Sequence, residues 1–267
     1  MTTNKNGKQS VAMSDVNKDD VVESAAKHAS DPAAPLKKRF YKTVDVAMSD
    51  SGYTIVLDDR PIKTPSRKTL SLPTRPLAEV VAAEWSAQDQ EIDPVSMPMT
   101  RLANTIIDGV DENHADVVKD VARFAMSDLV CYRAEAPIEL IERQSQAWDP
   151  PLTWAQSILN VGFKVTAGIM PVEQDGQIEV AVRKYLAKIS AFELGPVHII
   201  TTMTGSAVLA LAVHAGELDA QTAWAAAHID EDWQISQWGD DAEAKERRAR
   251  RHVELVSAAH FLAAAKD

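Results

Sequence analysis

The spacing of apolar residues changes once along this chain, at about Thr74, and this change limits the folds available to it. Before Thr74, short β-rich runs are separated by turn signals. After it, apolar residues recur at the three- and four-residue spacing of helices. Strands first and helices afterwards predict an α+β fold with a helical second domain.

The predicted strands form a small antiparallel meander. One run covers residues 40–46, and a second covers residues 53–57 after a Ser-Asp-Ser-Gly turn signal. A third short run at Leu70 and Leu72 ends at Pro73. Asp-Asp-Arg-Pro, directly after the second run, predicts another turn.

Capping residues and breakers predict where the helices start and stop. Thr74 is a predicted N-cap for the first helix. Asp219 is predicted to cap a helix that runs to about Trp238.

Proline and glycine set two further expected ends. The helix that begins at Ile138 is predicted to stop at residues 149–151 (DPP), and the one that begins at Ile178 at residues 195–196 (GP). The apolar run 197–213 is predicted to be one central buried helix, because it is too short and too polar to span a membrane.

The chain divides into three predicted parts. Residues 1–38 lack aromatics and any apolar period, and they mix lysines with acids, so we expect a disordered tail. Residues 39–110 are predicted to form a small antiparallel, β-rich N-terminal domain. Residues 111–267 are predicted to form an all-helical C-terminal domain, arranged as an orthogonal bundle.

Charge and cysteine content exclude several classes of protein. A net charge of -11 argues against nucleic acid as a partner, because phosphate binding needs clustered Lys and Arg. The single cysteine, Cys131, excludes an internal disulfide and a zinc site built from several thiolates. The N-terminal segment lacks the apolar core of a secretory signal. It also has no arginine before Arg39, whereas mitochondrial transit peptides are rich in arginine. We therefore expect a protein of the bacterial cytoplasm that does not insert into membranes.

One predicted helix carries an unusual stripe. Residues 220–238 are predicted to form one helix, and one face of it presents the following residues: Trp224, His228, Glu231, Ile235 and Trp238. A carboxylate on an aromatic stripe is costly to bury unless it is paired.

Two interpretations of Glu231 stay open. In the first, it forms an internal ion pair with an arginine such as Arg101 or Arg133. In the second, it is an acid used at a partner surface or cleft. His228 and Asp232 could ligate a metal, but two ligands without a third nearby are weak evidence, and no metal or cofactor site is predicted.

Catalytic motifs are not found in the sequence. There is no Walker loop, dinucleotide fingerprint or HExxH pattern. Cys131 has apolar neighbours and is expected to be buried and inert. A hydrolase-like enzyme that uses the carboxylates of an interdomain cleft, with Asp93, His114 or Glu231, is the alternative function. A structural scaffold without a client cycle is a third.

Tryptophan content indicates a binding protein. The chain has six Trp and only five Phe, and four of the Trp stand beside carboxylates or amides: Trp85, Trp224, Trp233 and Trp238. Tryptophan is over-represented among the anchor residues of protein interfaces. Without a catalytic constellation, such residues favour a binder over an enzyme.

Several motifs in the right order resemble a known family. They lie at residues 59–65 (DRPIKTP), 84–88 (EWSAQ), 92–105 (IDPVSMPMTRLANT), 128–133 (DLVCYR), 148–150 (WDP), 204–206 (TGS), 230–234 (DEDWQ) and 238–239 (WG). Together they span about residues 39 to 245. The chain is thereby identified as similar to the assembly chaperones that escort the alpha subunit of the F-type ATP synthase catalytic head.

This resemblance implies a function and a partner. Family members bind the free alpha subunit, cover the surface that the beta subunit later takes, and leave on assembly. Eukaryotic members work in the mitochondrial matrix. The resemblance implies no enzyme activity and no cofactor, and we expect a monomer.

The family also has an important acid in its C-terminal helix. By motif match this acid is Glu231, with Asp230 and Asp232 as the alternatives. The resulting set of candidate partner-binding residues is Glu231, Asp232, Trp233, Gln234, Trp238, Trp85, Arg101 and Asn104.

Overall fold

The computed structural model describes residues 36–168 and 170–266. Residues 1–38 are predicted to be a disordered tail, and residues 1–35 of that tail lie outside the described residues. Lys37–Lys38 form strand β1, which pairs antiparallel with β6 (Glu91–Ile92). In the described residues, no helix has the length and apolar character that crossing a membrane requires.

A four-stranded antiparallel sheet confirms the predicted meander. Its strands are β2 (Val44–Ser49), β3 (Gly52–Leu57), β4 (Arg60–Pro61) and β5 (Ser71–Leu72). β3 is central, with β2 along one side and β4 and β5 along the other. β2 starts later than predicted, because the amides of Lys42 and Thr43 donate to Asp58 Oδ1 at 3.0 and 2.9 Å instead of to the ladder.

Both predicted turns are present. Ser49 pairs with Gly52, which leaves a two-residue connection between β2 and β3. Between β3 and β4, Asp58 and Asp59 have φ angles of 46° and 65°. Two successive left-handed residues are typical of the turn whose twist suits a tight hairpin, and aspartate tolerates this conformation better than most residues do.

Helix α1 (Arg75–Ser86) joins the sheet to the helical part. The predicted cap is confirmed, since Thr74 Oγ1 accepts a hydrogen bond from Leu77 N at 3.2 Å. Leu77 and Val81 are buried on the face that packs against β2 and β3.

Helices dominate the remainder, which confirms the α+β class. The other α-helices of the described part are α2 (Pro98–Thr105), α3 (His114–Ala125), α4 (Ile138–Leu159), α5 (Gly176–Leu186), α6 (Ala191–Thr204), α7 (Ala207–Ala215), α8 (Ala220–Ala227), α9 (Ile229–Trp238) and α10 (Ala242–Lys266). A short parallel pair, β7 (Tyr132–Arg133) with β8 (Thr166–Ala167), lies among them. The long α10 packs against α1, α2, α6 and α8, and so contacts both the first helices and the later ones.

The predicted helix end at residues 149–151 is wrong, because α4 continues through both prolines to Leu159. A proline inside a helix costs roughly 3 kcal/mol. Burial on both sides of the prolines opposes that cost. Trp148 and Leu152 are buried, and Trp148 Nε1 donates to Ala226 O at 2.7 Å.

The predicted stop at residues 195–196 is also wrong. α5 ends at Leu186, and a new helix begins with the Ser190–Glu193 capping box. α6 then passes through residues 195–196. A Cβ at Gly195 would lie 2.6 Å from Ile106 Cγ1, so glycine here permits close approach to Ile106.

The apolar run 197–213 is two buried helices and not the single predicted one. Gly205 takes the left-handed conformation, with φ at 68°, and ends α6. Ser206 then caps α7 by accepting a hydrogen bond from Leu209 N at 3.0 Å.

Candidate functional site

The aromatic stripe predicted for residues 220–238 is interrupted in the structure. His228 has φ and ψ angles of -115° and 18°, which separates α8 from α9. Trp224 and His228 are buried on the α8 side, with ring centroids 3.7 Å apart. Trp238 at the far end of α9 is 80% exposed. The prediction of one continuous face is therefore wrong, because the break ends the helical register that it required.

α9 itself is a surface helix. It has no buried residue, and its first turn carries Asp230, Glu231 and Asp232. Acidic side chains are favourable there, because the N-terminal end of a helix carries partial positive charge.

The three acids have different surroundings. Asp230 Oδ1 accepts a hydrogen bond from Gln144 Nε2 at 2.6 Å, and Asp232 forms an ion pair with Arg248 of α10. The Glu231 side chain is 47% exposed, and the contact found for it is with His228 Nε2 at 3.9 Å. Burial lowers the pKa of His228, so this contact is not a strong ion pair.

The internal ion pair that the first interpretation of Glu231 requires is not formed. Arg101 instead pairs with Glu254 at 3.5 Å, and Arg133 with Asp149 at 2.8 Å. Among the described residues, Glu231 is thus the acid of α9 whose carboxylate is not held by an amide or an arginine.

The pair His228 and Asp232 does not form a metal site. His228 Nδ1 contacts the carbonyl oxygen of Trp224 at 2.8 Å, and Asp232 is engaged by Arg248. In residues 36–168 and 170–266, no cluster of three or more His, Cys, Asp and Glu side chains could hold a metal ion.

A cleft of about 510 Å³ lies beside α9, here called the α9 cleft. It is lined by Tyr132, Arg133, Ala134, Glu135, Ala136, Leu140, Gln144, Gly168, Asp230, Trp233 and Gln234. Two predicted site residues, Trp233 and Gln234, therefore face it together. Arg143 lies over the Trp233 ring at 5.1 Å, which fixes the indole by a cation–π contact.

The other predicted residues belong to a second group on α1 and α2. Trp85 packs against Tyr41 with ring centroids 5.8 Å apart and lines a cavity of about 520 Å³ with Phe40 and Arg60. Arg101 and Asn104 lie on α2. Trp85 Nε1, Arg101 Nε and Asn104 Oδ1 are buried, with no hydrogen-bond partner in the described part of the chain.

Helix α10 connects the two groups. Its Arg248 holds Asp232 of α9, and its Glu254 holds Arg101 of α2. These two anchors are six positions apart along the helix, or about 9 Å along its axis. The predicted site residues thus form two neighbouring sets along α10 and not one cluster.

Sequence reasoning missed the roles of Glu84 and Gln88 in the motif at residues 84–88. Glu84 accepts hydrogen bonds from Met99 N, Thr100 N and Thr100 Oγ1, each at 2.7 Å, and so caps α2. Burial raises the pKa of Glu84 despite these bonds. Gln88 accepts from Asp93 N at 2.8 Å. The segment 92–105 is therefore held by the end of α1, a long-range link that local sequence patterns do not reveal.

A third missed residue is Asp128, which joins two of the motifs. It is fully buried, and its carboxylate accepts hydrogen bonds from Val130 N at 3.3 Å and Val208 N at 2.9 Å. Burial raises the pKa of Asp128 to about 6. Cys131 is buried as predicted, and burial raises the pKa of its thiol to about 12, so it is a poor nucleophile.

The residues proposed for the hydrolase alternative do not come together. Asp93 accepts a hydrogen bond from Val95 N, His114 contacts Ile189 O at 3.0 Å, and Glu231 lies near His228. None of the three lines the α9 cleft or the cavity beside Trp85. Asp93, His114 and Glu231 therefore do not combine with one another into the acid–base pair that this alternative requires.

Comparison with known proteins gives consistent results. A family model described as ATP12 chaperone protein matches residues 38–156. The Schizosaccharomyces pombe protein named "Protein atp12, mitochondrial" is 24% identical over 234 residues, which cover 83% of this chain and 80% of the relative.

Solved structures extend this similarity to most of the chain. Atp12 from Paracoccus denitrificans is 36% identical, with a TM-score of 0.82 over 86% of this chain and 98% of that one. An aspartate-to-lysine mutant of the same protein gives a TM-score of 0.81. A protein from Agrobacterium tumefaciens, named as a candidate chaperone, is 42% identical over 92% of this chain and 95% of its own, with a TM-score of 0.82.

Proposed function

The chain belongs to the ATP12 chaperone family, a family of chaperones and not of enzymes, and on this premise we propose that it is an assembly chaperone of the F-type ATP synthase. Its client in this proposal is the free alpha subunit of the catalytic head. The chaperone holds that subunit and prevents its aggregation until the beta subunit displaces it. It acts as a monomer in the bacterial cytoplasm.

The physical problem is to cover an apolar surface and then release it. A subunit without its neighbour exposes an interface that favours aggregation. A chaperone interface that is weaker and more polar than the interface between the alpha and beta subunits can cover this surface and still release it. The beta subunit then displaces the chaperone by mass action, and no ATP hydrolysis by the chaperone is needed.

The surface of α9 is the observation that carries this proposal. Trp238 offers a large apolar side chain that is 80% exposed, and Glu231 offers a carboxylate not held by an amide or an arginine. Trp233 and Gln234 add an aromatic and an amide at the edge of the α9 cleft. Such a mixture suits a partly polar, reversible contact anchored by tryptophan.

The second group completes the proposed contact surface. Trp85, Arg101 and Asn104 are partly exposed on α1 and α2. A client segment that lies on these helices would contact the exposed parts of all three side chains. Asp232 contributes through its pair with Arg248, which holds α9 against α10.

The first prediction tests α9 by charge reversal. Glu231→Lys and Trp238→Ala are expected to fold normally, because neither side chain is buried, and to lose most protection of the alpha subunit. Light scattering during dilution of unfolded alpha subunit measures that protection. Glu243→Lys is the matched control, since the carboxylate of Glu243 is also exposed and lies 4.0 Å from the guanidinium of Arg247.

Four outcomes are distinguishable. Loss of protection with an unchanged thermal midpoint supports the proposed α9 contact. Unfolding of Glu231→Lys alone would mean that this acid is structural. Stable co-purification of the wild-type protein with alpha subunit, without less scattering, would instead indicate a scaffold, and no association under any condition would refute the proposal.

A further inference from the structure

One long edge of the four-stranded sheet is unpaired in the described part of the chain. β2 pairs with β3 along its whole length, from Val44 opposite Leu57 to Ser49 opposite Gly52. No other described strand pairs with β2. The edge is six residues long, whereas β1 and β4 have two residues each.

The register shows which backbone groups point outward. Asp58 N donates to Thr43 O at 3.2 Å, so Thr43 points toward β3. Because strand residues alternate, Asp45, Ala47 and Ser49 also point inward. The N–H and C=O groups of Val44, Val46 and Met48 therefore lie along the outer edge.

This edge lacks the usual protection against pairing. Exposed edge strands in proteins are commonly blocked by lysine, proline, a bulge or a covering segment. The β2 sequence, VDVAMS, contains no proline or lysine, and its ladder with β3 has no bulge. Met48 is 82% exposed, whereas Val44 and Val46 pack against the core.

We propose that the outer edge of β2 accepts an extended segment of the client polypeptide as a fifth strand of the sheet. This inference rests on the proposed chaperone function and adds a second contact to the α9 surface. Main-chain hydrogen bonds would supply the attraction, as in other cases of strand addition. The segment has apolar residues beside Val46 and Met48, and lysine or arginine opposite Asp45 on the other face.

The chemistry of this edge suits a client better than a second copy. Each chain has a net charge of -11, so two copies repel each other. Each backbone hydrogen bond to a partner contributes little net attraction in water, because it replaces a bond to water. A few such bonds tolerate different side chains and break readily, which is what temporary holding requires.

Proline substitution tests the edge directly, as the second prediction. Val46→Pro removes an outward N–H and leaves the inner ladder with β3 intact, whereas Val46→Ala keeps the N–H and removes the same side-chain packing. Met48→Pro and Met48→Ala form a second pair at an exposed side chain. We expect each proline variant to need a roughly fivefold higher concentration than its alanine partner for half-protection of the alpha subunit against aggregation, because one main-chain hydrogen bond to the client is lost.

Hydrogen exchange supplies an independent readout. In the free chaperone, the amides of Val44, Val46 and Met48 are expected to exchange fast and those of Asp45 and Ala47 slowly. Added alpha subunit is expected to protect the first set.

The outcomes separate this inference from the proposed function. If the wild-type protein protects the alpha subunit and the folded proline variants protect it equally well, the inference is wrong and the function stands. If the wild-type protein does not bind alpha subunit, the proposed function is refuted, and the inference about β2, which rests on it, is refuted too. Sedimentation that shows a wild-type dimer converted to monomer by Val46→Pro would also overturn the inference, because the occupant would then be a second copy.

Discussion

Asp128 lies in the core, where its carboxylate bridges two segments that are 80 residues apart. It accepts amides from the turn at residues 129–131 and from the start of α7. No arginine or lysine pairs with it among the described residues, so its charge is stabilised by amide and hydroxyl dipoles. Such a group makes stability depend on pH in a direction opposite to most carboxylates.

The third prediction concerns that dependence. Burial raises the pKa of Asp128 to about 6, against an ordinary value of 3.8. The folded state therefore holds the proton more tightly, and the stability from this group is present below about pH 4 and lost as pH rises through about 6. The expected loss is on the order of 3 kcal/mol.

Urea unfolding of wild type and Asp128→Asn at pH 4 and pH 7 measures this effect. Asparagine does not titrate, so the stability of the variant relative to wild type should rise across that interval. Asp58→Asn is the control, because hydrogen bonds from Thr43 and Lys42 lower the pKa of Asp58, so the stability of this variant relative to wild type should change far less between pH 4 and pH 7. Parallel pH curves for wild type and Asp128→Asn would contradict the prediction.

At the residue scale, sequence reasoning succeeded where the cause is local. The cap at Thr74 and the burial of Cys131 follow from their immediate neighbours in the sequence. It did not find Asp128 or Glu84, because their partners, such as Val208 and Met99, are distant in sequence. The surroundings of Glu231 depend on the break at His228. That break could not be predicted, because no glycine or proline lies near it in the sequence.

At the scale of elements, the class of each segment was predictable and the helix ends were less so. The meander and the helices after Thr74 are confirmed, because apolar spacing determines which face is buried. Residues 150–151 and 195–196 mark ends only when tertiary packing does not oppose them. In α4 and α6 the neighbouring buried side chains keep the helix continuous through proline.

The fourth prediction concerns how α9 is held. Arg248→Ala removes the ion-pair partner of Asp232 and the guanidinium that lies 6.0 Å from the Trp224 ring. Since α9 has no buried residue, we expect its amides to exchange faster while the global unfolding free energy falls by only about 1 kcal/mol.

A double-mutant cycle with Asp232→Ala isolates the pair, and the coupling energy should be on the order of 1 kcal/mol. Arg247→Ala is the matched control, because that side chain is 63% exposed and its carboxylate contact is 4.0 Å. Equal exchange of α9 amides in Arg248→Ala and Arg247→Ala would show that the pair does not hold the helix.

At the scale of the whole molecule, α10 is the element that joins the parts. Thr74 Oγ1 at the start of α1 donates to Ala264 O, and Arg101 of α2 pairs with Glu254. Phe261 is fully buried and stacks on Phe192 of α6 at 6.5 Å. The same helix therefore stabilises the region next to the sheet and the helical core.

The fifth prediction follows from this position. Phe261→Ala should lower the unfolding free energy by roughly 3–5 kcal/mol, because it leaves a large cavity. Since α10 packs on both regions, exchange of the β3 amides should accelerate together with that of the α6 amides. Faster exchange in α6 alone would show that the sheet region and the helices unfold independently.

The packing of α10 on α1 also has a consequence for synthesis. The surface of α1 that Ala264 and its neighbours cover is made early, while its cover is translated about 190 residues later. Until residues up to Lys266 have left the ribosome, the apolar surface of α1 that α10 covers stays exposed. During synthesis the chaperone therefore exposes an apolar surface, as the free subunit that it is proposed to bind does.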